Sequence, residues 1–424
     1  MDASTAPEAL LPPRPEQRLS ALEATIAEGE REGTNAAQIV QWRQQCLALV
    51  HLAFRSDLFQ VARASAKLAS AYLAMGYAEA ALGHARQAET LLQGLPPSHS
   101  GSSLLPEVLH CLAMSLAQSH EPTKATACFK RALHACEKVY GAGHVEACTI
   151  LKSWTEMALR GKHKDYALAH RLLQQQIDIR NSQRARTPLS DEAARTAERH
   201  EILSLVQERA RLMLAHARTL EEKAAADATP GGTAPVNPKV RQLRQRAMAL
   251  LQAELRHVDA PSATDDGTTN DGDAVDLSEP EAKLALRLAE VSRELGEWEQ
   301  AEQALVHAVS YFEDSNGMSD QKTISLWLEI ATVRMKLHKY EAAAVDLQHC
   351  FAMQQVLFQE NEAALIPTLE KLCKAHVLLR QWQPALEALN KAHTISTSQH
   401  GASHAETRRI ADVIHYLEKH AQEA

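Results

Sequence analysis

Aromatic residues are scarce in this sequence: Phe, Trp and Tyr number 6, 5 and 7 and make up only 4% of the 424 residues. β-Sandwiches and β-barrels usually contain more aromatic and β-branched side chains than this. Glycine and proline are also few, with 16 of each. These shortages disfavour an all-β fold and favour long helices.

Cysteine pairs with a recognisable spacing are also missing. The chain has seven cysteines, an odd number, and no Cys-x-x-Cys. A disulfide-stabilised secreted domain usually has an even number of cysteines. We therefore expect free cysteines in a reducing compartment.

Excess charge and long apolar runs are lacking too. Lys and Arg number 45 and Asp and Glu 53, so the formal net charge is −8. This mild acidity argues against nucleic-acid binding, which needs a concentrated basic face. The most apolar stretch, 46–54, is too short to span a bilayer, and residues 1–17 do not have the pattern of a secretory signal. We therefore expect a soluble, intracellular protein without membrane insertion.

The motifs of common active sites are not present. The sequence contains no His-Glu-x-x-His, no Gly-x-Ser-x-Gly and no Walker or Rossmann glycine pattern, and its 21 histidines are scattered. The acidic segment TDDGTTNDGDAVD lacks the ligand spacing of a calcium loop. We predict no catalytic residue, no metal site and no cofactor.

The chain does contain an internal repeat. Residues 282–312, 325–355 and 366–396 each have an apolar-plus-small pair, a short turn, an aromatic residue and then an alanine. The N-terminal half repeats this pattern, with a degenerate copy around residue 167. Within each half of the chain the alanines recur every 42 to 44 residues, at Ala81, Ala125 and Ala167 and again at Ala301, Ala343 and Ala385.

This spacing is typical of two antiparallel helices joined by a tight turn. A small side chain is needed where the two helices cross most closely. The turn needs glycine or a polar residue, here Gly76, Gly296, His338 and Arg380. Because one such pair cannot bury its apolar face alone, successive pairs stack. The sequence predicts an all-α fold, an α-solenoid of about eight helix–turn–helix repeats with a C-terminal capping helix.

The predicted organisation has four parts. Residues 1–14 form a disordered tail, and 15–258 form a first stack with an inserted loop at 220–240. An acidic linker follows at 259–280. Residues 281–421 form a second stack that ends in the capping helix.

The repeat resembles the tetratricopeptide repeat (TPR). The usual unit has about 34 residues, and units of about 42 resemble the longer repeats of kinesin light chains. The segments YGAGHVEACTIL (140–151) and HGASHAETRRIA (400–411) also resemble that subtype. The resemblance implies a protein-binding scaffold.

A narrower resemblance is to the ciliary family of tetratricopeptide repeat protein 23. It is carried by residues 46–92, 314–326 and 390–407, whereas 145–280 departs from that pattern. It implies a non-enzymatic scaffold in the cilium or flagellum, either at the ciliary base or along the axoneme, with a role in Hedgehog signalling. The partners would be ciliary or axonemal proteins, and the location cilium and cytoplasm.

Three other functions stay open. One is a cytosolic cargo or motor adaptor of the kinesin-light-chain kind, and another is an unassigned cytosolic scaffold. The third is an enzyme or enzyme-regulatory subunit, which a bound metal or cofactor would reveal.

A protein-binding groove is expected along the first helices of the pairs. Repeat phase places eight candidates on it: Glu290, Arg293, Glu294, Thr332, Met335, Lys336, Lys374 and Val377. Their mixed character suits an extended or helical protein segment.

TPR proteins that bind chaperone C-terminal carboxylates use a Lys and an Asn on this face. The matching places here are Leu286 and Glu290 in one stack and Ala66 and Ser70 in the other. We predict that this chain has no chaperone-tail carboxylate clamp.

Overall fold

The computed structural model describes residues 14–95, 103–161, 164–186, 192–226, 238–259, 278–318, 320–358 and 362–423. These residues contain seventeen α-helices and no β-strand. The predicted all-α class is confirmed.

The helices are α1 (Pro15–Glu32), α2 (Ala36–Ala53), α3 (Leu58–Ala74), α4 (Ala78–Gln93), α5 (Leu105–Gln118), α6 (Pro122–Tyr140), α7 (Glu146–Ala158), α8 (Tyr166–Arg186), α9 (Glu192–Ala226), α10 (Pro238–Asp259), α11 (Glu279–Leu295), α12 (Trp298–Asn316), α13 (Gln321–Lys336), α14 (Tyr340–Leu357), α15 (Ile366–Leu378), α16 (Trp382–His400) and α17 (Ala405–Glu423).

These helices form eight antiparallel pairs, from α1/α2 to α15/α16, followed by α17. Most of the described inter-helix packing joins helices that are consecutive along the chain. Within the α9/α10 pair, Arg244 of α10 forms an ion pair with Glu221 of α9, at 2.9 Å. The predicted TPR-like α-solenoid of about eight repeats is confirmed.

The alanines of the repeat lie in the packed interior. We call the following residues the crossing seam; each is 0% exposed: Ala81, Ala125, Ala169, Ala301, Ala343 and Ala385. The prediction of Ala167 for the fourth pair is wrong, because Ala167 is exposed. Ala169 occupies the seam because it lies 44 residues after Ala125, the same interval that separates Ala125 from Ala81.

The tight turns use left-handed backbone at the predicted positions. The φ angle is 79° at Gly76 and 81° at Gly296. It is also positive at His338 (61°) and Arg380 (57°), where an L side chain is strained. The turn conformation is therefore retained where glycine is replaced.

The chain divides into two compact units, Met1–Glu198 and Arg199–Ala424, and the boundary lies within α9. The sequence predicted a division at the acidic linker 259–280, of which 260–277 lie outside the described residues. Across that segment Gln252 of α10 donates to Gln300 of α12 at 2.6 Å. Such contacts place α10 in the same unit as the helices that follow it.

Helix ends differ from the predicted loop and linker bounds. The loop was predicted at 220–240, but α9 continues to Ala226 and α10 begins at Pro238. The sequence EEKAAA consists of strong helix formers, and proline is well tolerated in the first helical turn. Asp259 ends α10 and α11 starts at Glu279, and residues 260–277 of the predicted linker lie outside the described part. Residues 227–237, and residues 1–13 of the predicted tail, lie outside the described part.

The last helix, α17, closes the second unit. Its apolar side packs on the cluster of α15 and α16 through Ile410 and Leu417. In the repeat, α17 takes the place of α15 one interval of 42 residues later. The α17 positions that would pack on a partner helix, if the repeat continued, therefore lie 42 residues after buried α15 residues such as Ile366 and Cys373. They are Arg408, Ala411, His415 and Glu418. The polar outer side expected of a capping helix is present.

Candidate functional site

The first helices of the second unit lie side by side, and polar contacts connect each neighbour to the next. From α9 to α17 these contacts are Arg218–Glu290 (3.0 Å), Arg293–Glu329 (2.6 Å), Lys371–Thr332 (3.4 Å) and Arg409–Glu370. Together α11, α13, α15 and α17 present a continuous strip of side chains. We call this strip the first-helix face.

On the α11 part of this face, the predicted groove acids have partners within the chain. Glu290 and Glu294 both accept from Arg218 at 3.0 Å. Arg244 Nε donates to Glu294 at 2.8 Å. The hydrogen bond that Arg218 donates to Glu294 is the main cause that raises the pKa of Arg218. Because these charges neutralise each other, this part offers little unsatisfied charge to a partner.

The α13–α15 part has a different character. Lys336 and Lys374 are exposed and form no ion pair with any described residue. Thr332 is exposed too, although its hydroxyl donates to the carbonyl of Leu328 at 2.7 Å. Met335 and Val377 are half-buried and pack on the apolar cluster beneath. The α13–α15 part therefore carries two exposed lysines without ion pairs, together with the exposed Thr332 and the half-buried Met335 and Val377.

Sequence reasoning missed apolar residues on the same face. Leu378 is 44% exposed, Val413 38% and Tyr416 62%. They lie 42 residues after Lys336, Lys371 and Lys374, respectively, so the repeat interval was a sufficient signal. The missed residues, of which Val413 and Tyr416 lie on α17, add exposed apolar surface to the face.

The positions of the carboxylate clamp carry other residues. Ala66 is fully buried, and Leu286 is half-buried. Glu290, where the clamp would need a basic or amide side chain, is acidic and binds Arg218. That this chain has no carboxylate clamp stays a prediction. The burial of Ala66 and the ion pair of Glu290 give physical reasons for it.

The second helices carry a separate groove of about 630 Å³, lined by α12 and Lys339. One of its walls is an ion-pair network. Glu302 accepts from Arg334 Nε at 2.8 Å and from Lys339 at 2.6 Å. Arg334 also donates to Asp346 at 2.7 Å, and burial, which outweighs this contact, raises the pKa of Asp346. The Glu302 carboxylate in the groove wall already has two partners, and none of the eight candidate residues lines the groove. This groove is therefore a weaker candidate site.

The cysteines and histidines are possible metal ligands and nucleophiles in the part of the chain that the structure describes. No cluster of three or more His, Cys, Asp or Glu in this part of the chain could hold a metal ion. All seven cysteines are free and buried. Burial raises the pKa of Cys350 to about 12 and that of Cys373 to about 11. These two thiols are therefore protonated, and weak nucleophiles, at neutral pH.

Within the described residues, no helix has an apolar stretch long enough to cross a bilayer.

Comparison with known proteins gave matches only among solved structures. No protein-family model matches the chain, and no curated protein matches it. The chain is similar to BtubC (BKLC) from P. vanneervenii at 14% identity, over 77% of this chain and 90% of that chain, with a TM-score of 0.30. It is also similar to a putative kinesin light chain with TPR-like repeats from Podospora anserina, at 13% identity, over 70% and 97%, with a TM-score of 0.28.

A third similar structure is the TPR2AB domain of yeast Sti1 in complex with pHSP90. The identity is 13%, the coverage 84% of this chain and 97% of that chain, and the TM-score 0.26. Scores this low add no argument to the fold assignment, which rests on the pairing of the helices themselves.

Proposed function

We propose that this chain is a non-enzymatic scaffold that binds other proteins through the first-helix face of its second unit. The observation that carries this proposal is the pair of unpaired, exposed lysines, Lys336 and Lys374, beside the exposed apolar residues Leu378 and Tyr416. In a chain with a net charge of −8, such a strip is a local exception. It suits a protein segment that has carboxylates as well as apolar side chains.

The cellular role that we propose is in the cilium or flagellum. It is supported by the resemblance to the tetratricopeptide repeat protein 23 family at residues 46–92, 314–326 and 390–407. The partners would be components of a ciliary-base or axonemal complex, including one that acts in Hedgehog signalling. The chain itself would catalyse no reaction.

Proximity labelling in a ciliated cell line tests both parts. The wild-type chain is compared with the Lys336→Glu/Lys374→Glu variant and with a matched control, Lys130→Glu/Lys138→Glu. The control makes the same charge change at exposed positions on α6 of the first unit. We expect ciliary proteins among the labelled partners, and about tenfold weaker labelling of the direct partner by the face variant only.

Two results would count against the proposal. A tagged chain that is not enriched in the cilium contradicts the ciliary role. Equal partner loss in the face variant and the control contradicts the choice of the first-helix face.

A second candidate function is a kinesin-light-chain-like motor adaptor in the cytosol. It is favoured by the two inter-repeat segments, which share one geometry. Gly141 and Gly401 have φ angles of 92° and 86°, and His144 and His404 each accept from the backbone N–H two residues later. Co-purification of the chain with a motor heavy chain, without ciliary enrichment, would favour this function.

A further inference from the structure

The N-terminal end of the first unit presents a face that no other described helix covers. It is formed by α1 and α2, and a groove of about 590 Å³ runs between them. The α1 wall consists of Arg18, Ala21, Leu22 and Thr25, and the α2 wall of Gln45, Ala48 and Leu49. Beyond this groove Leu52 of α2 is 74% exposed. A stack that stays monomeric usually ends in a more polar face.

The charges on α1 differ between its two sides. On the side toward the rest of the unit, Glu23 pairs with Lys67 at 3.0 Å and Glu30 with Arg43 at 2.9 Å. The outward side carries Arg18, which lines the groove, and one turn or more away Glu28 and Glu32. The outward charges form no ion pair with any described residue. A second molecule could therefore supply partners for them.

The outward residues have a heptad-like spacing and a symmetric order of charge. They are, in chain order, Arg14, Arg18, Ala21, Thr25, Glu28 and Glu32, and all six are exposed. Alternating steps of four and three residues place the last five along one face of α1, and Arg14 is the N-cap residue immediately before the helix. The first two are basic, the middle two small and the last two acidic. This order is complementary to itself when a second copy of the helix runs antiparallel.

In that arrangement every residue of the strip meets a suitable partner. Arg18 faces Glu28 of the other copy, Arg14 faces Glu32, and the small Ala21 faces Thr25, where the backbones approach most closely. A two-fold axis repeats each contact, as an isologous interface requires. The order of charges also opposes the helix dipole, which favours acids at the N-terminus and bases at the C-terminus. A second copy reverses that disadvantage, because its acidic end lies beside the basic end of the first.

We infer that α1 and α2 form a homodimer interface, in which α1 packs antiparallel against α1 of a second copy of this chain. The uncharged α2 residues Ala48, Leu49 and Leu52 flank the contact and exclude water from it. This inference is independent of the proposed function, because the interface lies in the first unit and involves no other protein, whereas the proposed binding face lies in the second unit.

Sedimentation equilibrium of the full chain at micromolar concentrations tests the interface by charge reversal. The wild type is expected to be a dimer. Arg18→Glu places two acids opposite each other twice per dimer, and Glu28→Arg places two bases there. Each single variant is expected to dimerise about tenfold more weakly or worse. The double variant Arg18→Glu/Glu28→Arg restores both pairs and is expected to dimerise like the wild type.

Mixing the two single variants gives a sharper test. Arg18→Glu and Glu28→Arg chains are complementary to each other, so the mixture is expected to form heterodimers although each alone is largely monomeric. Arg408→Glu on α17 is the matched control and should leave the dimer unchanged. Circular dichroism of every variant verifies that the helices are intact.

Several results would overturn the inference. One is a wild-type chain that is monomeric, in which case a different protein would bind this face. Another is a dimer whose stability neither single charge reversal lowers. Failure of the double variant to recover would exclude the antiparallel register.

Discussion

The crossing seam and the first-helix face are built on the same repeat interval but use it differently. At the seam, residue type hardly varies: alanine recurs and is fully buried each time. On the face, one phase of the repeat holds Glu290, Thr332, Lys374 and Tyr416 in successive helices. Stacking therefore restricts the seam positions to alanine, whereas the residue type at a surface position can change from one repeat to the next. Stability therefore comes from the interior, and the binding that we propose would take its specificity from the face.

The largest expected effect lies in the interior network around Arg334. Arg334→Ala leaves Asp346 and Glu302, whose side chains are only 8% and 13% exposed, without this partner. We expect a loss of about 3 kcal/mol in the free energy of unfolding, because an uncompensated charge stays buried. Urea unfolding measures it. The control Arg293→Ala removes an exposed pair and should cost under about 1 kcal/mol; equal losses would contradict the difference between interior and face.

At the seam itself, Ala343→Leu should separate two closely crossing helices. We expect a cost of about 1–3 kcal/mol from overpacking, measured as a lower urea midpoint. Ala352→Leu makes the same change at an exposed position of the same helix, α14, and should stay within about 0.5 kcal/mol. A neutral Ala343→Leu would show that the assigned phase of the repeat is wrong.

The turns should respond to substitution in opposite directions. Gly296 has a φ of 81° with open space around its Cα, so Gly296→Ala should cost about 1 kcal/mol through backbone strain alone. Arg380→Gly removes the same strain at φ 57° and should raise the thermal midpoint slightly. Two shifts of the same sign would contradict this account of the turns.

Acidic pH should destabilise the first unit through two half-buried histidines. Burial lowers the pKa of His110 and of His84 below the usual value, which is about 6.5 in an unfolded chain. Their contribution to stability is complete above that value and is lost as the pH falls toward the folded-state pKa. Thermal unfolding at a series of pH values should show this decline, and His110→Leu should make it shallower. If stability falls with pH equally steeply in the His110→Leu variant, groups other than His110 cause the decline.

The smallest effect on stability is expected on the face. Lys336→Glu/Lys374→Glu should change the free energy of unfolding by less than about 0.5 kcal/mol, since both lysines are exposed and unpaired. Differential scanning calorimetry measures this. A large loss would mean that these lysines stabilise the stack, and a loss of binding could then no longer be attributed to direct contact.

Much of the fold could be predicted because stacking leaves a regular signal. The pairs, the seam and the turn residues His338 and Arg380 all follow from the repeat interval. Ala167 was misplaced by two residues where the repeat is degenerate. The ends of α9 and α10 were missed because Pro and Gly near residue 230 suggested a longer loop than the strong helix formers up to Ala226 allow.

The site was less predictable, because pairing between distant residues leaves no local pattern. Phase placed Glu290 and Glu294 on the correct face. It could not show that Arg218, more than 70 residues earlier, already binds both. Leu378 and Tyr416 were within reach of the same interval, but they lie at the end of the first helix of the last pair and on the capping helix, where the pattern was not extended.

The burial of every cysteine has a practical consequence. Because Cys111 in the first unit and Cys350 in the second are buried, a thiol reagent reaches them only after the surrounding helices have opened, and burial also raises the pKa of each thiol to about 12. The modification rate of each thiol therefore reports how often its own stack opens. The chain thus contains natural probes for following the breathing of its two halves separately, without any introduced label.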